Sequence, residues 1–392
     1  MTAIESRYRS YLTDRAKAGL HRSMPAIGAE GPGVIRIDGA IYANFSSNDY
    51  LGLSRHPALI ERAREWASLY GAGAGASRLV TGNLDLFERI ESKTATLKNM
   101  PTALVMSSGF QANAAVVQAL LNPRVLGAEP LVFADQLNHA STHFGCWAAG
   151  VQQLRYRHCD VGHLQSLLEQ NGADERPKFI LTESVFSMDG DVAPMHEIKL
   201  LARRHGAFLM CDDAHATGIL GRNGCGLSTG ADLVVGTYSK ALGCFGAYVA
   251  CSETLRDYLV NRCTGLIYST ALPPAALGAI DAALDLVPEL QDERSRVARM
   301  AETFRTEAIG LGFDTGGSIS QIVPLIVGEA AAAANLSAKF AKAGIWATAI
   351  RPPTVPRGTA RLRLAFSAAH SATDLERLLS QLQPPVLARA SV

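Results

Sequence analysis

Between about residue 100 and residue 251 the chain keeps repeating one pattern. A short, continuously apolar run gives way to a polar or glycine-bearing break, and then to a stretch with apolar residues at helical spacing. The apolar runs are "TALVMSS", "PLVFAD", "KFILTES", "AFLMCDD", "DLVVGTYS" and "AYVACS"; the helical stretches include "QANAAVVQALL", "GHLQSLLEQ" and "MHEIKLLARRHG". Strands apolar at every position belong to a sheet covered on both faces, and strand–helix alternation makes most of that sheet parallel. The flanks read differently. Before about Asp49, a charged amphipathic helix in "MTAIESRYRSYLTDRAKAGL" precedes "VIRIDGAIYANF", where alternation broken at Asp38-Gly39 predicts a hairpin. From about Gln291, two helical stretches, the strands "ISQIVPLIVG", "WATAI" and "RLRLAF", and a closing helix "TDLERLLSQL" predict a smaller α+β lobe. The expected class is α/β, divided into 1–49, 50–290 and 291–392.

Bulk properties narrow the partners. The formal charge is +1 and Lys and Arg form no long run, so neither nucleic acid nor an anionic membrane is expected as a partner. The longest uncharged run, Asn99 to Pro123, is broken by "SSGFQAN" and reads as strand, turn and helix rather than a membrane span. The N-terminal segment lacks the apolar core of a signal peptide. Seven cysteines without a C-x-x-C spacing predict neither a disulfide framework nor a zinc knuckle, and a cytoplasmic location is expected.

In open α/β sheets ligands gather beyond the carboxyl ends of the strands, and there the chemistry-bearing residues collect. Successive strands lead to Ser108-Gly109-Phe110, to Asn138-His139, to Glu183, to Asp212-Asp213-Ala214-His215, and to Lys240. "GAGAGAS" (Gly71 to Ser77) formally fits a dinucleotide fingerprint. A helix precedes it where a strand is required, so a flexible turn is expected instead. His139 and His143 lack an adjacent carboxylate, and the acidic residues lie far off in sequence; no metal is expected. Ser108-Gly109-Phe110 opens a helix, either as an ordinary N-cap or as a phosphate cradle. Lys240 is the single charge between Asp232 and Glu253. It either reaches the surface, pairs with Asp212 or Glu183, or serves as a Schiff-base lysine. A lysine, a carboxylate, the ring-sized His139 and a phosphate cradle together are the fittings of pyridoxal phosphate, whose electron sink works best with a protonated ring nitrogen.

Across nearly its whole length the chain resembles the α-oxoamine synthases, which are fold-type I pyridoxal phosphate enzymes that join an amino acid to an acyl thioester and lose CO2. The resemblance is carried by "NFSSNDYLGLS", "SSGFQAN", "LNHAS", "TESVFSMDGD", "DDAHATG", "GTYSKALG", "LIYSTALPP" and "IRPPTVPRGTARLRL". It implies a mostly parallel seven-stranded central sheet with helices on both faces, and a smaller C-terminal α+β domain. It also implies a homodimer with the active site at the interface. Glycine-using relatives tend to carry a tyrosine where this chain has Pro352, two places before "TVP". "IRPPTVP" therefore argues against glycine with acetyl-CoA or succinyl-CoA, and the resemblance as a whole implies L-alanine as the amino acid and pimeloyl-CoA, or a pimeloyl carrier protein, as the acyl donor. Glycine or serine with another acyl-CoA is the alternative within the family, and a catalytically inactive partner subunit the alternative outside it.

Carried over by position, Lys240 would anchor the cofactor covalently and move protons, Asp212 would hold the ring nitrogen, and His215 would meet the phenolic oxygen. His139 would stack on the ring. Ser108, Gly109, Phe110, Glu183, Ser187, Thr237 and Ser239 would complete the cofactor site, with Ser269 and Thr270 serving the partner's phosphate. Asn48, His139, Thr354 and Arg363 would face the substrate, Arg363 as a clamp for the amino-acid carboxylate. Where a relative has an arginine for the acyl chain, this chain reads Leu20-His21-Arg22, and the resemblance leaves open which of His21 and Arg22 acts.

Overall fold

The computed structural model describes residues 2–383. Met1 and residues 384–392, the outer ends of the expected first and last zones, lie outside the described residues. The chain forms two compact units, one of residues 48–187 with 192–295, the other of residues 1–47 with 188–191 and 296–392.

The first unit is built on a seven-stranded sheet. Its strands are β1 (Thr102–Met106), β2 (Leu131–Asp135), β3 (Gln153–Tyr156), β4 (Lys178–Glu183), β5 (Phe208–Asp212), β6 (Leu233–Thr237) and β7 (Ala247–Cys251). They lie in the order β1-β7-β6-β5-β4-β2-β3. Neighbours from β6 through β3 pair parallel, and β7 alone runs against both of its neighbours. Six of the seven are the continuously apolar runs of the sequence. The seventh, β3, is an edge strand whose "QLRY" is only partly buried, so the fully apolar signature of a central strand is absent.

Side chains from six strands and the helix Gly109–Leu120 share one core, including Leu104, Val132, Leu181, Met210, Val235, Val249 and Val116, all nearly inaccessible. The helix Ala140–Ala149 packs on Gly109–Leu120. A Cβ at Gly145 would stand 2.6 Å from Val117 Cβ, so glycine there sets how closely the two helices approach. Among the described residues no helix is long and apolar enough to cross a membrane.

In the second unit the hairpin forms as its pattern dictates. Val34–Ile37 pairs antiparallel with Ala40–Asn44, and Asp38 (φ 49°) and Gly39 (φ 82°) supply the two left-handed residues of a tight turn. The segment "WATAI" departs from the expected single strand. Ile345–Trp346 pairs parallel with Ala40–Asn44, while Ala349–Ile350 pairs with Ala360–Ala365 in a separate three-stranded sheet that also holds Ile322–Gly328. Between the halves the Thr348 N–H donates to Ser46 Oγ (2.8 Å), which takes that N–H out of both ladders, while Thr348 O still accepts the Arg363 N–H (3.3 Å).

Candidate active site

Parallel pairing sets the centre of the site. Glu183 and Asp212 end β4 and β5 as register partners, so their side chains leave the sheet on the same face. Lys240 follows β6 on the loop that turns back into β7. That loop is closed by Tyr238 N–H to Gly246 O (3.0 Å), Cys244 N–H to Tyr238 O (2.9 Å) and Gly243 N–H to Lys240 O (2.9 Å). Thr237 Oγ1 adds a bond to Gly246 O (2.7 Å). A cavity of about 170 Å³ opens over this edge, lined by Gly109, Phe110, Asn113, His139, Glu183, Asp212, His215, Thr237, Ser239 and Lys240 among others. Nine of the residues named from the sequence are thereby gathered on one cavity; Asn113 is the addition.

Each polar group is held by its neighbours. Asp212 is buried; one carboxylate oxygen accepts the Ala214 N–H (3.0 Å) and the other the Asn113 side-chain amide (2.6 Å). His139 caps the helix Ala140–Ala149, its Nδ1 accepting the Ser141 N–H at 3.3 Å. Burial, with the Lys240 ammonium nearby, holds its ring below the usual imidazole range despite the opposing pull of Asp212. Glu183 accepts the His139 backbone N–H. Burial and then the Asp212 charge push its carboxyl well above the ordinary range, which makes Glu183 a proton holder beside an anionic neighbour. His215 Nδ1 meets the buried Tyr50 hydroxyl at 2.6 Å, and the same hydroxyl bonds Asn48 Oδ1 at 3.1 Å. Ser108 is the N-cap of Gly109–Leu120 and accepts the Gln111 N–H (3.3 Å). The Gly109 and Phe110 N–H groups, which have no intrahelical carbonyl to bond, are placed to meet an anion. A cavity with an amine, a carboxylate, a flat ring and an anion-binding helix start has the donor set for a planar, phosphorylated aromatic cofactor.

Other expected residues stand elsewhere. Ser187 lies in the turn after β4. Ser269 Oγ accepts the Gln111 side-chain amide (2.7 Å), and Thr270 bridges Ser77. In the second unit Arg22 donates to Thr354 Oγ1 at 2.8 Å, His21 is exposed, and Arg363 is buried on Ala360–Ala365. "GAGAGAS" follows the helix Pro57–Tyr70, as the fingerprint's failure required. His143 turns to Gln153 (2.7 Å) and away from His139's partners. Asp135, His158 and Cys159 bring ligand atoms within 4.8 Å of one another, but Asp135 already accepts the Leu137 and Cys159 N–H groups (both 2.9 Å). Asn113 and Tyr50 escaped the sequence reading. Asn113 did leave a trace, as the one polar residue at a core-facing position in the apolar stretch "QANAAVVQALL".

The aminotransferase class I and II family model matches residues 40–382. The chain is 52% identical to the 8-amino-7-oxononanoate synthase of Gluconacetobacter diazotrophicus, over 98% of either chain. Among solved structures it is similar to Sphingomonas wittichii serine palmitoyltransferase, with TM-score 0.90, 25% identity and 97% of each chain covered. It is also similar to the 8-amino-7-oxononanoate synthase of Francisella tularensis, with TM-score 0.74, 26% identity, and 87% of this chain and 96% of that one covered. The fold is that of the fold-type I pyridoxal phosphate-dependent transferases. The chain belongs to the class I and II aminotransferase family and is a pyridoxal phosphate-dependent acyltransferase.

Proposed function

We propose that this acyltransferase joins L-alanine to a pimeloyl thioester, carried by CoA or by a pimeloyl carrier protein, in the cytoplasmic synthesis of biotin. A C–C bond forms at the alanine α-carbon. The thioester C–S bond and the bond to the alanine carboxyl carbon break, giving 8-amino-7-oxononanoate, the free thiol and CO2. The observation that carries this reading is the 52% identity, over 98% of both chains, to an enzyme named for that product.

Pyridoxal phosphate, when bound, supplies the electron sink that makes a carbanion accessible at the amino-acid α-carbon. The protein's share is placement and proton transfer. Lys240 is the covalent anchor, and its amine then moves the α-proton. Asp212, held from two sides, keeps a proton on the ring nitrogen, and His139 lies against the ring. Ser108, Gly109 and Phe110 receive the phosphate at the helix start, with Thr237 and Ser239 beside Lys240. His215, set by Tyr50, serves the phenolic oxygen, and Glu183 holds its proton next to Asp212; Ser187 completes this set. Arg363 is assigned to the amino-acid carboxylate, with Asn48 and Thr354 on the substrate and His21 or Arg22 on the acyl chain. A homodimer, with Ser269 and Thr270 turned to the partner's phosphate, belongs to the same reading.

The test is thiol release from pimeloyl-CoA with L-alanine and glycine in parallel. L-Alanine is expected to exceed glycine by about tenfold or more, the usual worth of one methyl group in a fitted pocket. Silence with L-alanine overturns the assignment, and release from palmitoyl-CoA with L-serine would move it to the reaction that the name of the Sphingomonas relative describes.

A further inference from the structure

Asn113 sits at the centre of a hydrogen-bond chain that the cofactor assignment does not use. It is 2% exposed. Its side-chain nitrogen donates both protons, one to Asp212 Oδ2 at 2.6 Å and one to Ser141 Oγ at 3.1 Å. Ser141, fully buried, has its hydroxyl 2.6 Å from His139 Nδ1. The directions are fixed from the two ends. At one end, an amide oxygen facing the Asp212 carboxylate at that distance would be repulsive, so the nitrogen must face it. At the other, His139 Nδ1 already accepts the Ser141 backbone N–H at 3.3 Å, so it carries no proton and the Ser141 hydroxyl donates to it. The ring proton is therefore on Nε2. The cost is visible: Asn113 Oδ1 is buried without a hydrogen-bond partner among the described residues, an acceptor given up so that both N–H groups can point this way.

We propose that Asn113 is a positioning residue that locks two groups at once, the Asp212 carboxylate directly and, through Ser141, the His139 ring with its proton on Nε2. The proposal rests on the cofactor reading above only for its consequence, which is that the ring nitrogen and ring face of pyridoxal phosphate meet groups set in one orientation. Asn113 acts through Asp212 and His139 and has no bond-making role of its own.

The test uses the full chain in two states. In the first, histidine-¹⁵N NMR of the cofactor-free protein, with His139→Gln to assign the signal, reads the tautomer. The wild type is expected to show an acceptor Nδ1 and a protonated Nε2, and Asn113→Leu and Ser141→Ala a mixture, with Ser141→Thr restoring the wild-type signal. In the second, the visible absorbance of the bound cofactor is titrated with pH. Asn113→Leu is expected to move its midpoint by about half a pH unit or more. It should also lower kcat by about 10–100-fold, as loss of such outer partners does, with KM for L-alanine changed far less. If both variants keep the wild-type tautomer and the wild-type midpoint, and only stability falls, Asn113 is a packing residue and the proposal is overturned. Ser141→Ala gives an independent reading of the tautomer if Asn113→Leu does not fold. A wild type that takes up no pyridoxal phosphate but shows the Nε2 tautomer would sink the cofactor reading and leave the lock standing.

Discussion

Asp212 and Asp213 are neighbours in the chain, and the structure gives each a lysine's region of its own to work in. Asp213 points inward. It is paired with Lys98, and the two side chains are 0% and 1% exposed. Its oxygens also accept the Ser184 hydroxyl, the Ser228 hydroxyl (2.9 Å) and the Leu227 N–H (3.1 Å), and Lys98 also donates to Cys225 O and Thr217 Oγ1. Burial, the largest single influence, would push the Lys98 ammonium down, but the Asp213 charge and hydrogen bond together with the neighbouring Tyr248 outweigh it, and the net shift is upward. Gly226 closes the packing, since a Cβ there would fall 1.8 Å from Asp213 Oδ2. Asp212 faces the cavity that Lys240 also lines. The same residue types, one position apart, thus make a sealed clamp and a working edge. What separates them is not charge or burial, which they share in large part, but whether the surrounding donors and acceptors leave a cavity for a third party.

That contrast is open to breakage. The largest effect is expected from Lys240→Ala, which should cut thiol release by about 10⁴-fold through loss of the nucleophile and acid/base while leaving the urea midpoint near wild type. An unfolding shift as large as the activity loss would mean that Lys240 is structural too. Lys98→Met leaves Asp213 buried without its cation and should cost about 3–5 kcal/mol in urea unfolding; retained stability would dissolve the clamp. Thr217→Val removes one hydroxyl that bonds both Asp213 O (2.9 Å) and the Tyr248 hydroxyl (2.7 Å), and about 1 kcal/mol is expected. The smallest effect appears as a slope. Because Glu183 is raised in the folded state, the native protein holds a proton that the unfolded chain releases. Its contribution is full below the ordinary carboxylate range and is lost as pH climbs toward the raised value. Glu183→Gln should flatten that fall in thermal midpoints measured from mildly acidic to mildly alkaline buffer, and an unchanged slope would assign it to another group.

Much of the framework was readable from residue order because its signals are local. β1, β2 and β4–β7 each announced themselves as apolar runs, and Asp38-Gly39 announced the hairpin. The strand-end residues, Lys240, Asp212 and His139 above all, followed from the rule that chemistry collects at one edge of such a sheet. What stayed hidden depends on partners far along the chain. Lys98, at the end of "ESKTATLK", looks like any lysine closing a surface helix, and only the fold brings it to Asp213. Tyr50 belongs to a recognisable motif, yet its bond to His215 joins residues 165 positions apart. "WATAI" was misjudged because pattern reports that a run is extended and not which sheet each half will join.

The reversed direction of β7 has a consequence for the order in which the molecule is assembled. A parallel neighbour would have needed a crossover of a dozen residues or more, whereas an antiparallel one needs only a turn. Lys240 therefore rides on a loop spanning only 238–246, closed at its base by the Tyr238–Gly246 bond. The chain entropy lost in closing it is small, and it can be lost as soon as β6 and β7 meet. The Lys98–Asp213 clamp joins residues 115 positions apart and must wait for the intervening strands. The loop that carries Lys240 is thus among the cheapest pieces of this protein to form, while the clamp behind it waits on far more of the chain.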